Sequence, residues 1–147
     1  MVAALCKELI MRKEEAIGSE LQTIYLGGGT PSILTYDELK QLFDTIYSHY
    51  KVSPTAEITI ECNPDDFFRL HTPEQLLQQL TSLGINRLSL GVQSFFEEDL
   101  RLMNRVHTTT QVATLLPIAS QYFDNITIDL IYGIPMMSNE RWKENIY

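Results

Sequence analysis

Three consecutive glycines follow the first apolar stretch of the sequence and form the strongest candidate for a binding site. A Tyr-Leu-Gly-Gly-Gly-Thr-Pro-Ser segment occupies residues 25–32, so that an apolar strand, Thr23–Leu26, runs directly into the glycines. Glycine permits positive φ and lets another group approach the main chain closely, and Pro31 prevents the strand from continuing. We therefore expect exposed backbone N–H and C=O groups that bind a small polar group.

The familiar glycine-rich phosphate loops have a different spacing. No Lys-Ser or Lys-Thr pair follows the glycines, which excludes a Walker-type loop, and the Gly-x-Gly-x-x-Gly spacing of dinucleotide-binding folds is absent here. An ordinary turn between a strand and a helix is the alternative interpretation.

Strands and helices alternate along the chain and would position the glycines at one edge of a sheet. The residue patterns predict strands at Thr23–Leu26, Glu57–Cys62, Arg87–Val92 and Ile126–Tyr132. They predict helices at Ala3–Ile17, at Pro73–Leu83, at Phe95–Met103 and from Asn139 onward. Two more helices are predicted from Thr35 (a capping box with Glu38) to about Tyr50, and from Thr108 or Thr109 to about Tyr122. The apolar face of the first helix is predicted to carry Leu5, Leu9 and Ile10. This order predicts an α/β fold built from βα units around a parallel sheet.

The two faces of the predicted strands differ in polarity, because side chains alternate between the faces of a strand. One face carries Ile58, Ile60, Leu88, Leu90, Val92, Ile126, Ile128 and Leu130, and the other carries Thr59, Glu61, Ser89, Gly91, Gln93, Thr127 and Asp129. A parallel sheet covered by helices on both faces is apolar throughout, and burial of unpaired carboxylates is costly. We expect a curved sheet with a polar, ligand-binding concave side, and a site at the carboxyl ends of the strands. A dry core in which these residues satisfy one another is the alternative.

The composition limits the class of protein. The 147 residues are sufficient for a single domain with a core, and the net charge of -8 argues against a nucleic-acid partner. No apolar run is long enough to span a membrane, and Lys7, Glu8 and Arg12 interrupt the apolar start, which argues against a signal peptide. We therefore expect a cytoplasmic protein.

Five short motifs occur in an order that points to a known family. They are Gly-Gly-Gly-Thr-Pro at 27–31, Glu-Cys-Asn-Pro at 61–64, Leu-Gly-Val-Gln-Ser at 90–94, Arg-Val-His-Thr at 105–108 and Asp-Leu-Ile-Tyr-Gly-Ile-Pro at 129–135. Together they resemble the oxygen-independent coproporphyrinogen III oxidase family of radical S-adenosylmethionine (SAM) proteins, and in detail its haem chaperone branch. The resemblance implies an incomplete (β/α) radical SAM-type partial TIM barrel of about four strands, in which SAM binds beside a 4Fe–4S cluster. The intact protein would act on haem or porphyrinogen, as a chaperone or as an oxidoreductase.

The resemblance also implies a set of SAM-binding residues. Carried over position by position, they are Gly28, Gly29, Thr30, Glu61, Gln93, Arg105 and Asp129. Backbone carbonyls at the glycines can accept from the methionine ammonium, carboxylates can bind that ammonium or the ribose hydroxyls, and Arg105 can form a charge-assisted pair with the methionine carboxylate. A solvated Arg105 is the alternative, and we expect His107 to be a surface or capping residue.

One family motif is missing. The Cys-x-x-x-Cys-x-x-Cys loop is absent, and three thiolates are the minimum that such a cluster requires from the protein, whereas the sequence has only Cys6 and Cys62. We therefore expect residues 1–147 to be a fragment of a radical SAM core, without the cluster loop and the C-terminal domain, that holds no cluster and is inactive alone. Unpaired sheet edges would then favour self-association.

Two other classes of function stay open. Glu61 and Asp129 could act as acid and base, or as ligands of a divalent metal, in a different (β/α) enzyme. The chain could also be a non-catalytic interaction module.

Overall fold

Four parallel strands form one sheet in the computed structural model, which describes residues 1–70 and 72–147. The strands are β1 (Leu21–Leu26), β2 (Val52–Cys62), β3 (Arg87–Gln93) and β4 (Asn125–Leu130), and they lie in the order β1-β2-β3-β4. Each neighbouring pair is parallel. The predicted α/β fold with a parallel sheet is confirmed.

Helices connect the strands, and most of their starts follow from side-chain capping. They are α1 (Val2–Arg12), α2 (Tyr36–His49), α3 (Pro73–Ser82), α4 (Glu97–Leu102), α5 (Thr109–Ala119) and α6 (Asn139–Ile146), with short 3-10 helices at Lys13–Ala16, Pro31–Ile33 and Pro64–Phe68. Thr35, Thr72 and Thr108 each form a capping box with the residue three positions later, which satisfies backbone donors at the helix start. None of the helices described is long and apolar enough to cross a membrane.

The boundaries differ from the prediction where a proline or a neighbouring strand changes the local geometry. β2 begins at Val52 and not at the predicted Glu57, so Pro54 lies inside the strand. The register between β1 and β2 is irregular at this point: β1 advances two residues, from Leu21 to Thr23, while β2 advances five, from Val52 to Glu57. Such an irregularity on an edge pair leaves the proline without a ladder bond to donate.

The buried face of α1 is not the one predicted. Leu5 and Ile10 are 41% and 43% exposed, whereas Val2 and Cys6 are buried and Leu9 packs against the core. The Tyr50 hydroxyl donates to the Leu9 carbonyl at 2.8 Å, which fixes this side of α1 toward the end of α2. The stripe at positions 2, 6 and 9 therefore faces α2, and the prediction for Leu5 and Ile10 was wrong.

The aliphatic side of the sheet contains the core, as the alternation predicted for the two central strands. Ile60, Leu88, Leu90 and Val92 have no exposed surface. Burial of each such side chain contributes about 1.5–3 kcal/mol relative to exposure. On the edge strand β4 the same side is only partly covered, and Ile128 is 38% exposed. The polar side is therefore free to line a cavity at the carboxyl ends of the strands.

Candidate functional site

The glycine segment after β1 forms a tight turn against the end of β2. Gly28 and Gly29 have φ values of 77° and 70°, the left-handed region in which other residues are strained. Gly27 is needed for a different reason, because a Cβ there would lie 2.6 Å from Tyr25 Cε1 and 2.8 Å from Glu61 Oε1. The segment can therefore close over Glu61 only with these glycines.

The Glu61 carboxylate is held at both oxygens. The Gly28 amide donates to Oε2 at 3.0 Å, and the Tyr25 hydroxyl donates to Oε1 at 2.9 Å. The hydrogen bond to Glu61, and secondarily desolvation, raises the pKa of the Tyr25 phenol, because both stabilise its neutral form. A carboxylate offers about four acceptor sites, so Glu61 retains acceptor capacity for a ligand.

Gln93 and Arg105 form the opposite side of the site. Arg105 Nη2 donates to Gln93 Oε1 at 3.0 Å, which orients the amide of Gln93. The backbone of Gln93 has a φ of 69°, and its carbonyl accepts from the Ile131 amide at 2.9 Å, which joins the ends of β3 and β4. Since Oε1 accepts from Arg105, the Nε2 donors of Gln93 are left for the cavity.

The turn after Gln93 is held by a buried polar network. The Ser94 hydroxyl donates to Asp99 Oδ2 at 2.8 Å, and Asn145 Oδ1 accepts from the Phe95 amide at 2.7 Å. Arg141 Nη1 donates to Asp99 Oδ1 at 3.1 Å. α4 and α6 thus fix the backbone from which Gln93 projects.

The floor of the site has small residues. Asn63 Nδ2 donates to Thr30 Oγ1 at 3.3 Å and so ties the end of β2 to the glycine segment. A Cβ on Gly91 would lie 3.1 Å from Gln93 Nε2 and 3.3 Å from Asn63 Oδ1. Because Gly91 has no Cβ, the space between these two amides stays open.

These groups surround one cavity of about 220 Å³ at the carboxyl ends of the strands. It is lined by Gly29, Thr30, Glu61, Cys62, Asn63, Ser89, Gly91, Gln93, Arg105 and Asp129. Six of the seven predicted site residues are among them, and Gly28 adjoins through its bond to Glu61. A larger cavity of about 550 Å³, between the start of α2 and α3, is lined by none of the seven. The structure therefore brings the predicted residues together.

The sequence as a whole matches an established family. A profile of the Radical SAM superfamily matches residues 4–146. This chain belongs to the radical SAM superfamily. The resemblance that the five motifs indicated is thereby confirmed at the level of the superfamily.

Three radical SAM relatives illustrate the similarity. The haem chaperone HemW of Synechocystis is 35% identical over 99% of this chain, and the oxygen-independent coproporphyrinogen III oxidase of the same organism is 32% identical over 86%. The structure of coproporphyrinogen III oxidase (HemN) from Escherichia coli, described as a radical SAM enzyme, superimposes with a TM-score of 0.86 at 32% identity over 99% of this chain. The chain spans between a quarter and a third of the length of these relatives, covering 34%, 26% and 32% of them.

Intact radical SAM proteins use SAM and a 4Fe–4S cluster, and the two groups fit this chain differently. The cavity offers two carboxylates, an arginine and open amide donors, which suit the polar groups of SAM. The absence of a Cβ on Gly91 leaves space for a ligand at the floor of the cavity. Cys6 and Cys62 are both buried free thiols, and burial raises the pKa of the Cys62 thiol, which disfavours a thiolate. Within residues 1–70 and 72–147, no group of three or more His, Cys, Asp or Glu is placed to hold a metal ion. The residues present do not fit a cluster.

Two residues of the site were not predicted from the sequence. Tyr25 lies in the same register row as Thr59 of β2, on the polar face, and its hydroxyl contacts Glu61. Asn63 follows β2 directly and contacts Thr30. The alternation rule could have identified Tyr25 had it been applied to β1 as well as to the other three strands.

His107 differs from its prediction. It is 2% exposed, and its Nε2 lies 3.0 Å from the Val92 carbonyl, while Nδ1 lies 4.0 Å from Asp65 Oδ1. The expectation of a surface or capping residue was wrong, because the segment after Arg105 turns back under the end of β3. His107 anchors that segment and so supports the placement of Arg105.

Proposed function

We propose that the cavity is the SAM-binding site of a radical SAM protein of haem or porphyrin metabolism, and that this chain supplies part of the core of that protein. The observation that carries the proposal is the convergence of the glycine segment, two carboxylates and the Gln93–Arg105 pair around one cavity. Membership of the superfamily and similarity to haem chaperones and coproporphyrinogen oxidases support it.

The residues suit the polar groups of SAM in kind. Carbonyls of Gly28 and Gly29 would accept from the methionine ammonium, beside Glu61 and Thr30. Arg105 would pair with the methionine carboxylate, a charge-assisted interaction that is about twice as strong as a neutral hydrogen bond. Asp129 and the Nε2 donors of Gln93 would bind the ribose. In intact radical SAM proteins, SAM together with the cluster supplies the radical chemistry.

The cluster would be held by residues other than those described. Because the two buried cysteines do not fit it, we assign this chain to the SAM side of the composite site and expect no catalysis by the chain alone. The divalent-metal enzyme and the interaction module, the two alternatives, receive no support from the comparisons or from the arrangement of carboxylates.

An NMR titration tests the proposal at residue level. With SAM added to the ¹⁵N-labelled chain, we expect weak binding, with amide shifts at Gly28, Gly29 and the Gln93 side chain. The variant Glu61→Gln should weaken these shifts. The matched control is Glu57→Gln, since Glu57 lies on the same strand and face but pairs with Arg87 outside the cavity.

Two results would contradict the proposal. One is the absence of shifts in the glycine segment at any SAM concentration. The other is a set of shifts confined to the larger cavity near Tyr36 and Leu76.

The branch of haem metabolism is a finer question. We favour the haem chaperone branch, because the identity to HemW exceeds that to the coproporphyrinogen oxidase of the same organism, 35% against 32%. Assays on the protein encoded by the complete gene would separate the two, since a chaperone retains haem, whereas an oxidase consumes coproporphyrinogen. Turnover of coproporphyrinogen without haem retention would overturn our preference.

A further inference from the structure

The Tyr25 hydroxyl lies on the polar face of the sheet and contacts the best-held carboxylate of the site. Tyr25 belongs to the edge strand β1, yet its hydroxyl reaches β2 and donates to Glu61 Oε1 at 2.9 Å. The Ser89 hydroxyl of β3 lowers the pKa of the phenol, and the charge of Asp129 on β4 raises it. Polar groups on the other three strands thus affect the titration of this one side chain.

The contact depends on a missing side chain. A Cβ on Gly27 would lie 2.6 Å from Tyr25 Cε1 and 2.8 Å from Glu61 Oε1, distances that real Cβ atoms do not tolerate. Gly27 has no positive φ that would require glycine. Its role is therefore to admit the Tyr25 ring and the Glu61 carboxylate to the same space.

The Tyr25 hydroxyl determines where the second oxygen of Glu61 points. The Gly28 amide fixes Oε2 at 3.0 Å, but one bond leaves the carboxylate able to rotate. Asp129 carries the same charge and lines the same cavity, so repulsion would act on a carboxylate that is free to turn. A second donor, from Tyr25, removes that freedom.

We propose that Tyr25 is a positioning residue, whose hydroxyl holds Glu61 in the orientation that receives the ligand of the cavity. The inference rests on the proposed function, in which that ligand is SAM. Tyr25 itself is 55% exposed, so its replacement by phenylalanine removes the hydroxyl without opening the core.

The first test compares SAM binding by wild type and Tyr25→Phe in the same NMR titration. The loss of one hydrogen bond to a charged group predicts an apparent Kd about tenfold to 150-fold higher. The control Tyr122→Phe changes a tyrosine that is 37% exposed and outside the cavity, and should bind as wild type does. Gly27→Ala keeps both groups but forces them apart, and should weaken binding as well.

The second test has a readout that does not need SAM. The ¹³Cζ signal of Tyr25 reports its titration, and the groups that face the phenol are Glu61, Ser89 and Asp129. In Glu61→Gln the pKa of Tyr25 should fall toward its usual value, whereas Glu57→Gln should leave it raised.

The outcomes separate the two proposals. If wild type binds SAM and Tyr25→Phe binds it equally well, or if the Tyr25 pKa is the same in Glu61→Gln, the positioning role is overturned. If wild type gives no shifts in the glycine segment, the proposed function is overturned, while the titration of Tyr25 still decides whether Glu61 is held. A weaker Tyr25→Phe together with a lowered pKa in Glu61→Gln supports the role.

Discussion

Filling the floor of the cavity should separate ligand binding from stability. The change is Gly91→Ala, at a position on the polar face of β3 where φ is not positive. The backbone therefore accepts alanine without strain. The added methyl would lie 3.1 Å from Gln93 Nε2 and 3.3 Å from Asn63 Oδ1, inside the cavity.

The magnitudes follow from two opposing effects. Replacement of glycine by alanine at an unstrained strand position stabilises the fold by about 0.4–1 kcal/mol. The two close contacts require a shift of a few tenths of an ångström, and Gln93 is restrained by Arg105, so we expect the two effects to nearly cancel in the free energy of unfolding. A ligand that must occupy the same space meets an overpacking penalty of about 1–3 kcal/mol, which corresponds to a loss of affinity of about fivefold to 150-fold.

The assay pairs urea denaturation with the SAM titration. The free energy of unfolding of Gly91→Ala should lie within about 0.5 kcal/mol of the wild-type value. The variant should bind SAM at least fivefold more weakly. Ser89→Ala is the matched control, because it lies on the same strand and face and also lines the cavity, but removes an atom instead of adding one. Unchanged affinity in Gly91→Ala would refute the reasoning, since it would place the ligand away from this floor.

Three further predictions concern stability and association. The hydrogen bond to Glu61 raises the pKa of Tyr25 in the folded state. This bond therefore stabilises the fold below the ordinary tyrosine pKa of about 10, and its contribution is lost as the pH rises through the higher pKa of the folded state. The difference in unfolding free energy between wild type and Tyr25→Phe should thus be constant to about pH 9 and shrink above it. Asp99→Ala should lower the free energy of unfolding in urea by about 1–3 kcal/mol, because it removes the buried acceptor of two hydrogen bonds, from the Ser94 hydroxyl and from Arg141 Nη1. The edge of β4 should promote self-association, so the sedimentation-velocity mass should rise with concentration and fall in Ile128→Lys.

Each of these has a contradicting result. If the difference in unfolding free energy between wild type and Tyr25→Phe does not change with pH up to values well above 10, the Tyr25 phenol does not form the stabilising hydrogen bond to Glu61. An Asp99→Ala variant as stable as wild type would show that the hydrogen bonds from Ser94 and Arg141 to Asp99 do not stabilise the fold. A concentration-independent monomer would contradict association through β4.

The sequence predicted the side of the sheet on which the site lies, because strand alternation is a local rule. Glu61, Gln93 and Asp129 share a parity in their strands, and the structure places all three around one cavity. Contacts between distant segments were not predictable in this way. The bond between Tyr25 and Glu61 depends on the register of β1 on β2, and the burial of His107 depends on how the segment after α4 turns under β3.

Helix faces show the same limit. The periodicity of α1 identified an apolar helix but not its neighbour, and only the packing on α2 decided that Val2 and Cys6 are buried while Leu5 is exposed. Where a side chain caps its own helix, as Thr35 does, both partners lie within four residues, and the prediction was correct.

The docking of α6 has a consequence for how the site loses order. Asn145 accepts from the Phe95 amide across an interval of 50 residues, so the final helix and the turn beyond Gln93 form one cooperative unit. The amides of both segments should therefore undergo hydrogen exchange at a common rate. Fraying of the helix would loosen one wall of the cavity, while the glycine segment, which is hydrogen-bonded to Glu61, would keep its conformation.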